Sequence, residues 1–200
     1  HEKSLAPYLE LARIDFRNPV AHYKAGVAYS RFNKKRKAIK KFEEAIRLNE
    51  DFPEAQFNIA WLYQELGEAK NALQFYNNTI KYDPNNLEAF YNTGEIHESF
   101  ERYQMAAKAF REVIRIDPDH VEAHAKLGRS YAKLNLPEEA LAEFNIALRI
   151  NPNLAETYYQ LGNTYGELKR EKEGLQPLRK AIQLKPGYLK AIYLLGKFNT

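Results

Sequence analysis

Cysteine is missing altogether from the 200 residues. Without thiols there is no disulfide framework, no Cys-ligated zinc and no thiol nucleophile. The lack also fits a reducing compartment, so the cytoplasm is the expected location. Long apolar runs are missing as well: none approaches the roughly 18 residues of a membrane-spanning helix. A large charge of one sign is missing too. Lys and Arg number 30 against 26 Asp and Glu, a formal net charge of +4. Over this length that is too mild an excess to indicate nucleic acid. No glycine-rich phosphate loop, nucleophile elbow or metalloprotease motif occurs, so neither catalysis nor a cofactor is expected. The chain opens at His1 and enters ordered sequence at once, with no signal peptide visible.

What is present is a fold-competent apolar content of 44%, with 14 Tyr and 11 Phe to be placed. It is distributed with a strict period. Gly26, Ala60, Gly94, Gly128, Gly162 and Gly196 are each 34 residues apart. The same interval separates Ala38, Ala72, Ala106, Ala140 and Gly174. It separates Tyr29, Tyr63, His97, Tyr131 and Tyr165, and again Phe42, Tyr76, Phe110, Phe144 and Leu178. Pro84, Pro118, Pro152 and Pro186 form a fifth series. A shared period of this length marks a repeat architecture.

Each repeat divides into two stretches with apolar residues at helical spacing. In the third, Ala89, Phe90, Thr93, Gly94 and His97 share one face of a first helix, A. Ala106, Ala109, Phe110, Val113 and Ile114 share one face of a second, B. Small residues in the first two series let the backbones of A and B approach closely, and the bulky series fill the space beside that contact. Asp83-Pro84, Asp117-Pro118 and Asn151-Pro152 separate the repeats, since Pro cannot continue a helix and Asp or Asn supplies cap oxygens. This pattern resembles the tetratricopeptide repeat. It has the small residue at the eighth position, an aromatic at the eleventh, Ala at the twentieth, an aromatic at the twenty-fourth and Pro at the thirty-second. The resemblance covers essentially the whole chain. It implies an all-α, right-handed superhelical solenoid of antiparallel helix pairs, and a protein that binds other protein.

The expected organisation is one solenoid domain over residues 1–200. Its repeats run 19–52, 53–86, 87–120, 121–154 and 155–188, with half-repeats 4–18 and 189–200. In the first half-repeat Leu5, Pro7, Tyr8 and Ile14 stand five periods before Leu175, Pro177, Leu178 and Leu184. Both ends stop in mid-repeat, which suggests a fragment of a longer array and exposed apolar ends capable of self-association. The fifth repeat departs from the pattern. Gly174 replaces Ala, and Pro177 falls inside helix B, predicting a kink or a late start of that helix.

The resemblance further implies that A helices line a concave groove. The fifth position is then Tyr23, Phe57, Tyr91, Ala125, Tyr159 and Tyr193. The sixth is Lys24, Asn58, Asn92, Lys126, Gln160 and Leu194, and the ninth is Val27, Trp61, Glu95, Arg129, Asn163 and Lys197. Tyr23, Val27, Phe57, Trp61 and Tyr91 cluster as candidate anchors for a partner. Asn58, Asn92, Gln160 and Asn163 offer amides to the backbone of an extended peptide. Charge alternates by repeat: the third presents Glu88, Glu95 and Glu98 and the fourth Lys126, Arg129 and Lys133, so a ligand crossing both needs matching opposite charges. The bland alternatives are packing between A helices for Tyr159 and Tyr193, and a solvated face for the charges. Trp61 favours function, because the ninth position is usually small and polar.

A two-carboxylate clamp, as used by some family members for acidic chaperone tails, does not fit: Glu88 or Glu122 would stand where a cation is needed. The asparagine ladder of O-linked N-acetylglucosamine transferases is matched only by Asn58 and Asn92. His120 and His124 are four residues apart, with Asp117 nearby, yet occupy a linker and a packing position; a metal is not expected. The basic run Lys34-Lys35-Arg36-Lys37, with Lys40 and Lys41, reads as a solvated turn. Asn77-Asn78-Thr79 matches a glycosylation acceptor but falls within a helix. The expected function is a non-catalytic scaffold for an extended peptide or helix of a protein partner. The alternatives are a self-assembling homo-oligomeric platform and the substrate-recruiting arm of a larger enzyme.

Overall fold

The computed structural model describes residues 6–199, which form twelve helices and no strand among them. Ser4 and Leu5 of the first half-repeat, and Thr200 of the last, lie outside the described residues. A short helix α1 (Ala6–Ile14) comes first. A helices follow as α2 (Pro19–Arg31), α4 (Pro53–Glu65), α6 (Leu87–Ser99), α8 (Val121–Lys133), α10 (Ala155–Glu167) and α12 (Leu189–Phe198). Between them run the B helices α3 (Lys35–Leu48), α5 (Ala69–Tyr82), α7 (Tyr103–Ile116), α9 (Pro137–Ile150) and α11 (Glu171–Leu184). Each A helix, and each B helix from α3 on, begins 34 residues after the last of its kind.

Local chemistry sets these bounds. Asn18 accepts hydrogen bonds from the Val20 and Ala21 amides at the start of α2, and Pro19 takes the first helical position, where its missing N–H costs nothing. His120 caps α8 through Nδ1, accepting from the Ala123 amide at 3.2 Å. Every complete A helix ends alike. Asn33, Gly67, Glu101, Asn135 and Lys169 adopt positive φ of 55°, 74°, 56°, 59° and 57°. The next amide then reaches back to the carbonyl of Tyr29, Tyr63, His97, Tyr131 or Tyr165. This is a Schellman closure. It accepts at the aromatic series read from the sequence.

The chain divides into two compact units, the first up to Thr93 and the second from Gly94. In the first, Ala38, Ile39, Phe42, Ala45, Ala55, Ile59 and Leu62 form a core. Ala12 of α1 packs against Ala21 and Ala25 of α2. In the second, Ala140, Leu141, Phe144, Leu148 and Leu161 form one cluster. Leu178, Ala181, Tyr188 and Ala191 form another. The small and bulky series meet within each repeat. A Cβ added to Gly94, Gly128 or Gly162 would lie 2.6–2.7 Å from Phe110, Phe144 or Leu178. The close approach of A to B therefore depends on the missing side chain.

In the fifth repeat one of the two expected outcomes is excluded. α11 does not start late: it begins at Glu171, in phase with the other B helices, and is continuous through Pro177. Only the bond that Glu173 O would accept from residue 177 is lost, because proline has no N–H. Gly174 has a reason in packing: a Cβ there would meet Phe198 Cε2 at 2.7 Å and Gly162 O at 3.0 Å. Gly166 faces the same Phe198 ring.

Candidate partner-binding surface

In the first unit the aromatic candidates divide by role. Tyr23 packs on Phe42 and Phe52, with ring centroids 5.5 and 5.0 Å away. Its hydroxyl accepts from Asn58 Nδ2 at 3.3 Å, and the same amide donates to Glu54 O at 2.7 Å. Phe57 sits edge-on to Tyr76 at 5.6 Å, and the Tyr76 hydroxyl donates to Gln64 Oε1. Tyr23 and Phe57 are thus half-buried and braced by the core. Trp61, by contrast, keeps 43% of its surface exposed on α4. Val27 is half-buried and Lys24 exposed, while Tyr91 and Asn92 are half-buried near the start of α6.

The same unit holds a groove of about 790 Å³ between α1 and α2. Tyr23, Lys24 and Val27 line it, with Pro7, Tyr8, Ala28, Arg31 and Phe32. The site list drawn from the sequence missed Tyr8 and Arg31. The signal was present: Tyr8 stands one period before Phe42, in the bulky series. Arg31 occupies the thirteenth position of its repeat, on an A helix.

In the second unit the charges answer one another. Lys126 Nζ lies 2.8 Å from Glu95 Oε1 and 3.1 Å from Glu98 Oε2. Arg129 reaches Glu98 Oε1 at 2.5 Å. The Glu98 side chain is 8% exposed, so this is a half-sheltered network and not a freely solvated face. Burial pulls the Lys126 pKa down, but its two carboxylates outweigh that and leave it above the ordinary lysine value. The charges expected to select a ligand largely satisfy each other. Farther on, Tyr159 packs on Tyr188 at 5.1 Å, and the Tyr188 hydroxyl donates to Glu156. Gln160 donates to Glu156 Oε1 at 2.9 Å, and Asn163 to Glu167 Oε1 at 2.8 Å, so these amides have acceptors within their own helix. Tyr193 on α12 is 77% exposed.

The remaining candidates resolve structurally. His124 Nδ1 lies 2.6 Å from Glu143 Oε2 and Nε2 3.0 Å from Pro118 O, while His120 Nδ1 is committed to the α8 cap. Neither ring leaves the pair a common metal-facing nitrogen. In the basic run, Lys35 pairs with Glu65 at 3.3 Å and Arg36 with Glu68, which offsets part of its charge. No helix among the described residues is long and apolar enough to cross a membrane.

Antiparallel helix pairs that recur every 34 residues define the helical-repeat proteins as the class to which this protein belongs. Tetratricopeptide repeat profiles match residues 23–79, 76–121, 100–155 and 155–188. The chain belongs to the tetratricopeptide repeat family. Among solved structures it is similar to YrrB, described as a TPR protein with an unusual peptide-binding site, at 19% identity and a TM-score of 0.86, covering 93% of this chain and 96% of that one. It is also similar to MamA, at 18% identity and a TM-score of 0.77, covering 86% and 94%. A third is residues 41 to the end of MamA from Desulfovibrio magneticus RS-1, at 18% identity and a TM-score of 0.75, covering 85% and 96%. No curated protein sequence matches the chain.

Proposed function

We propose that the protein is a non-catalytic scaffold that holds an extended or helical segment of a protein partner on the A-helix face of its first unit. The carrying observation is Trp61. A large aromatic left 43% exposed, on a helix whose neighbouring aromatics are braced by the core, is the kind of rigid anchor that dominates partner binding. Phe57 and Tyr23 hold the surface around it in shape, and Lys24 adds charge at its edge. Tyr91 and Asn92 extend the candidate face in the first unit, and Glu95, Lys126, Arg129, Tyr159, Gln160 and Asn163 supply one in the second. The peptide-binding site in the description of YrrB agrees with such a use of this fold. The test is partner capture by wild type, Trp61→Ala and a control, Met105→Ala, which removes a comparably exposed apolar side chain from helix α7 of the second unit. Helicity is checked by circular dichroism. Loss of the same partners from Trp61→Ala alone supports the reading; equal capture by all three overturns it.

Self-assembly has one observation in its favour. On α12, Leu189, Ile192 and Tyr193 are 77%, 43% and 77% exposed. A sedimentation mass that rises with concentration, and falls back in Tyr193→Glu, supports that second reading.

A further inference from the structure

The fifth position carries a ring in every complete repeat but the fourth: Tyr23, Phe57, Tyr91 and Tyr159, against Ala125. In the first unit that ring packs on the bulky residue of its own B helix, Tyr23 on Phe42 at 5.5 Å and Phe57 on Tyr76 at 5.6 Å. In the fourth repeat the bulky residue, Phe144, is kept and the ring that would meet it is missing. The helices do not close over the gap. An open pocket of about 190 Å³ remains, with Ala125 and Phe144 in its wall and Glu122, Lys126, Arg129 and Gln160 around them. A cavity of about 150 Å³ is enough to hold benzene, so one aromatic ring has room. The first repeat shows how such a ring is finished. The Tyr23 hydroxyl accepts from Asn58 Nδ2, at the sixth position of the next repeat. After Ala125 that position is Gln160, again an amide, and it lines the pocket. One of its N–H groups goes to Glu156 Oε1, and an amide nitrogen has a second to give.

We infer that the pocket at Ala125 takes a tyrosine side chain from a protein partner, with a Lys or Arg beside that tyrosine meeting Glu122. The ring replaces the one the fourth repeat lacks, lying over Ala125 toward Phe144, and its hydroxyl accepts from Gln160. The basic neighbour follows from the charges on the rim. Both rim cations are already held, Lys126 by Glu95 and Glu98 and Arg129 by Glu98. Glu122 is not. Its side chain is 65% exposed, and the one basic group within 4 Å of it among the described residues is His120 Nδ1 at 3.7 Å, which accepts the Ala123 amide and so carries no proton. A cation from the partner is therefore drawn to the Glu122 side of the pocket, and a carboxylate is repelled there. A rigid ring in a preformed socket is an economical anchor for a flexible segment. The inference rests on the reading of the A-helix face as a partner-binding surface, but places this anchor in the second unit, apart from Trp61.

The first probe is p-cresol, the tyrosine side chain alone, with toluene as the matching phenylalanine probe. Binding to the full chain, labelled with 13C in its alanine methyl groups, is read by NMR. The Ala125 methyl signal, assigned by its loss in Ala125→Tyr, should shift saturably with p-cresol, while that of Ala55, fully buried in the first unit, stays in place. Gln160→Leu should weaken p-cresol about twofold to tenfold and leave toluene no weaker. The second probe is a displayed library of random peptides, selected on the wild-type chain and counter-selected on Ala125→Tyr, which fills the pocket from within. Enriched peptides should share a tyrosine with Lys or Arg next to it. Glu122→Lys should weaken them about threefold or more without affecting p-cresol. No shift at Ala125, a Gln160→Leu effect equal for both small probes, or enriched peptides lacking tyrosine overturns the inference. So does self-association of the chain that Ala125→Tyr abolishes, since the pocket then belongs to a second copy. If Ala125→Tyr does not fold, the Gln160→Leu and Glu122→Lys comparisons still decide. If both probes fail while Trp61→Ala still loses its partners, this inference falls and the scaffold reading stands.

Discussion

Gly26 and Phe42 touch so closely that a Cβ on the glycine would stand 2.6 Å from Phe42 Cε1. The ring is fully buried and has nowhere to retreat. A branched side chain at Gly26 must therefore overpack the contact between α2 and α3. Gly26→Val should destabilise the protein by about 1–3 kcal/mol. Gly196 has the same place in its own repeat but nothing within 4 Å, so Gly196→Ala should be neutral or stabilise by up to about 1 kcal/mol. Urea denaturation of the two variants checks the contrast. Equal effects would mean that proximity to the bulky series does not set the glycine requirement.

The left-handed turn at the end of each A helix gives a second prediction. Glu101 and Lys169 occupy with ordinary side chains the conformation that Gly67 occupies freely, at φ of 56° and 57°. Glu101→Gly and Lys169→Gly should each stabilise by about 1 kcal/mol, and Gly67→Ala should cost a similar amount. Nothing lies within 4 Å of an added Cβ at Gly67, so its loss would be a backbone effect alone. Thermal melts decide it. A destabilised Glu101→Gly would show that the side chain contributes more than the backbone strain it carries.

These two features differ in how far the sequence disclosed them. The Gly26–Phe42 contact was legible, because both residues stand in series with the same period and helical geometry puts the two series face to face. The left-handed turn was not, because Asn, Gly, Glu, Asn and Lys share no side-chain chemistry; they share only a place relative to the aromatic whose carbonyl closes the turn. The same divide runs through the site. Position in the repeat singled out Tyr23, Phe57 and Trp61 as candidates, but not that two are braced while Trp61 is open, since burial depends on neighbours from other helices. The Glu95, Glu98, Lys126 and Arg129 charges were visible as alternating signs. Their mutual pairing was not, because it joins side chains about one repeat apart.

That network is the third test. Glu98 accepts from both Lys126 and Arg129 while nearly buried itself. Glu98→Gln keeps the shape and removes the charge, leaving Arg129 without this partner and Lys126 with Glu95 alone. A loss of about 1–2 kcal/mol is expected, discounted because both cations remain partly exposed. High salt should narrow the gap between wild type and variant, since screening weakens the pairs that only the wild type has. A gap unchanged by salt would mean that packing of the Glu98 stem, and not its charge, carries the effect.

Helix α11 separates two substitutions that look alike on paper. Both Pro177→Ala and Gly174→Ala install a better helix former. Pro177→Ala restores an amide donor to Glu173 O and should stabilise by up to about 3 kcal/mol. Gly174→Ala puts a methyl group 2.7 Å from Phe198 and 3.0 Å from the Gly162 carbonyl, so it should destabilise despite the gain in propensity. If both stabilise, the Phe198 ring moves aside more easily than its packing against Gly166 and Gly174 implies.

The position that departs from the aromatic series makes the last prediction. His97 stands where the other repeats have tyrosine, and its Nδ1 is buried without a hydrogen-bond partner. Burial, helped by the Arg102 charge, holds its pKa below the ordinary 6.5. The sign follows by linkage. As pH falls from about 6.5, the unfolded chain takes up a proton that the folded chain still refuses, so stability present above that pH is lost on acidification. His97→Tyr removes the titrating group and the buried orphan nitrogen together. Its denaturation midpoint should exceed that of wild type, and the excess should be larger at pH near 5 than near 7. The alkaline limb should be indifferent to this change. There the raised pKa of Tyr188, buried and donating to Glu156, gives stability that is complete below 10.0 and lost as pH rises beyond it. Tyr188→Phe should flatten that limb and leave the acid limb alone. An acid limb that persists in His97→Tyr would assign the acid loss to the paired carboxylates instead.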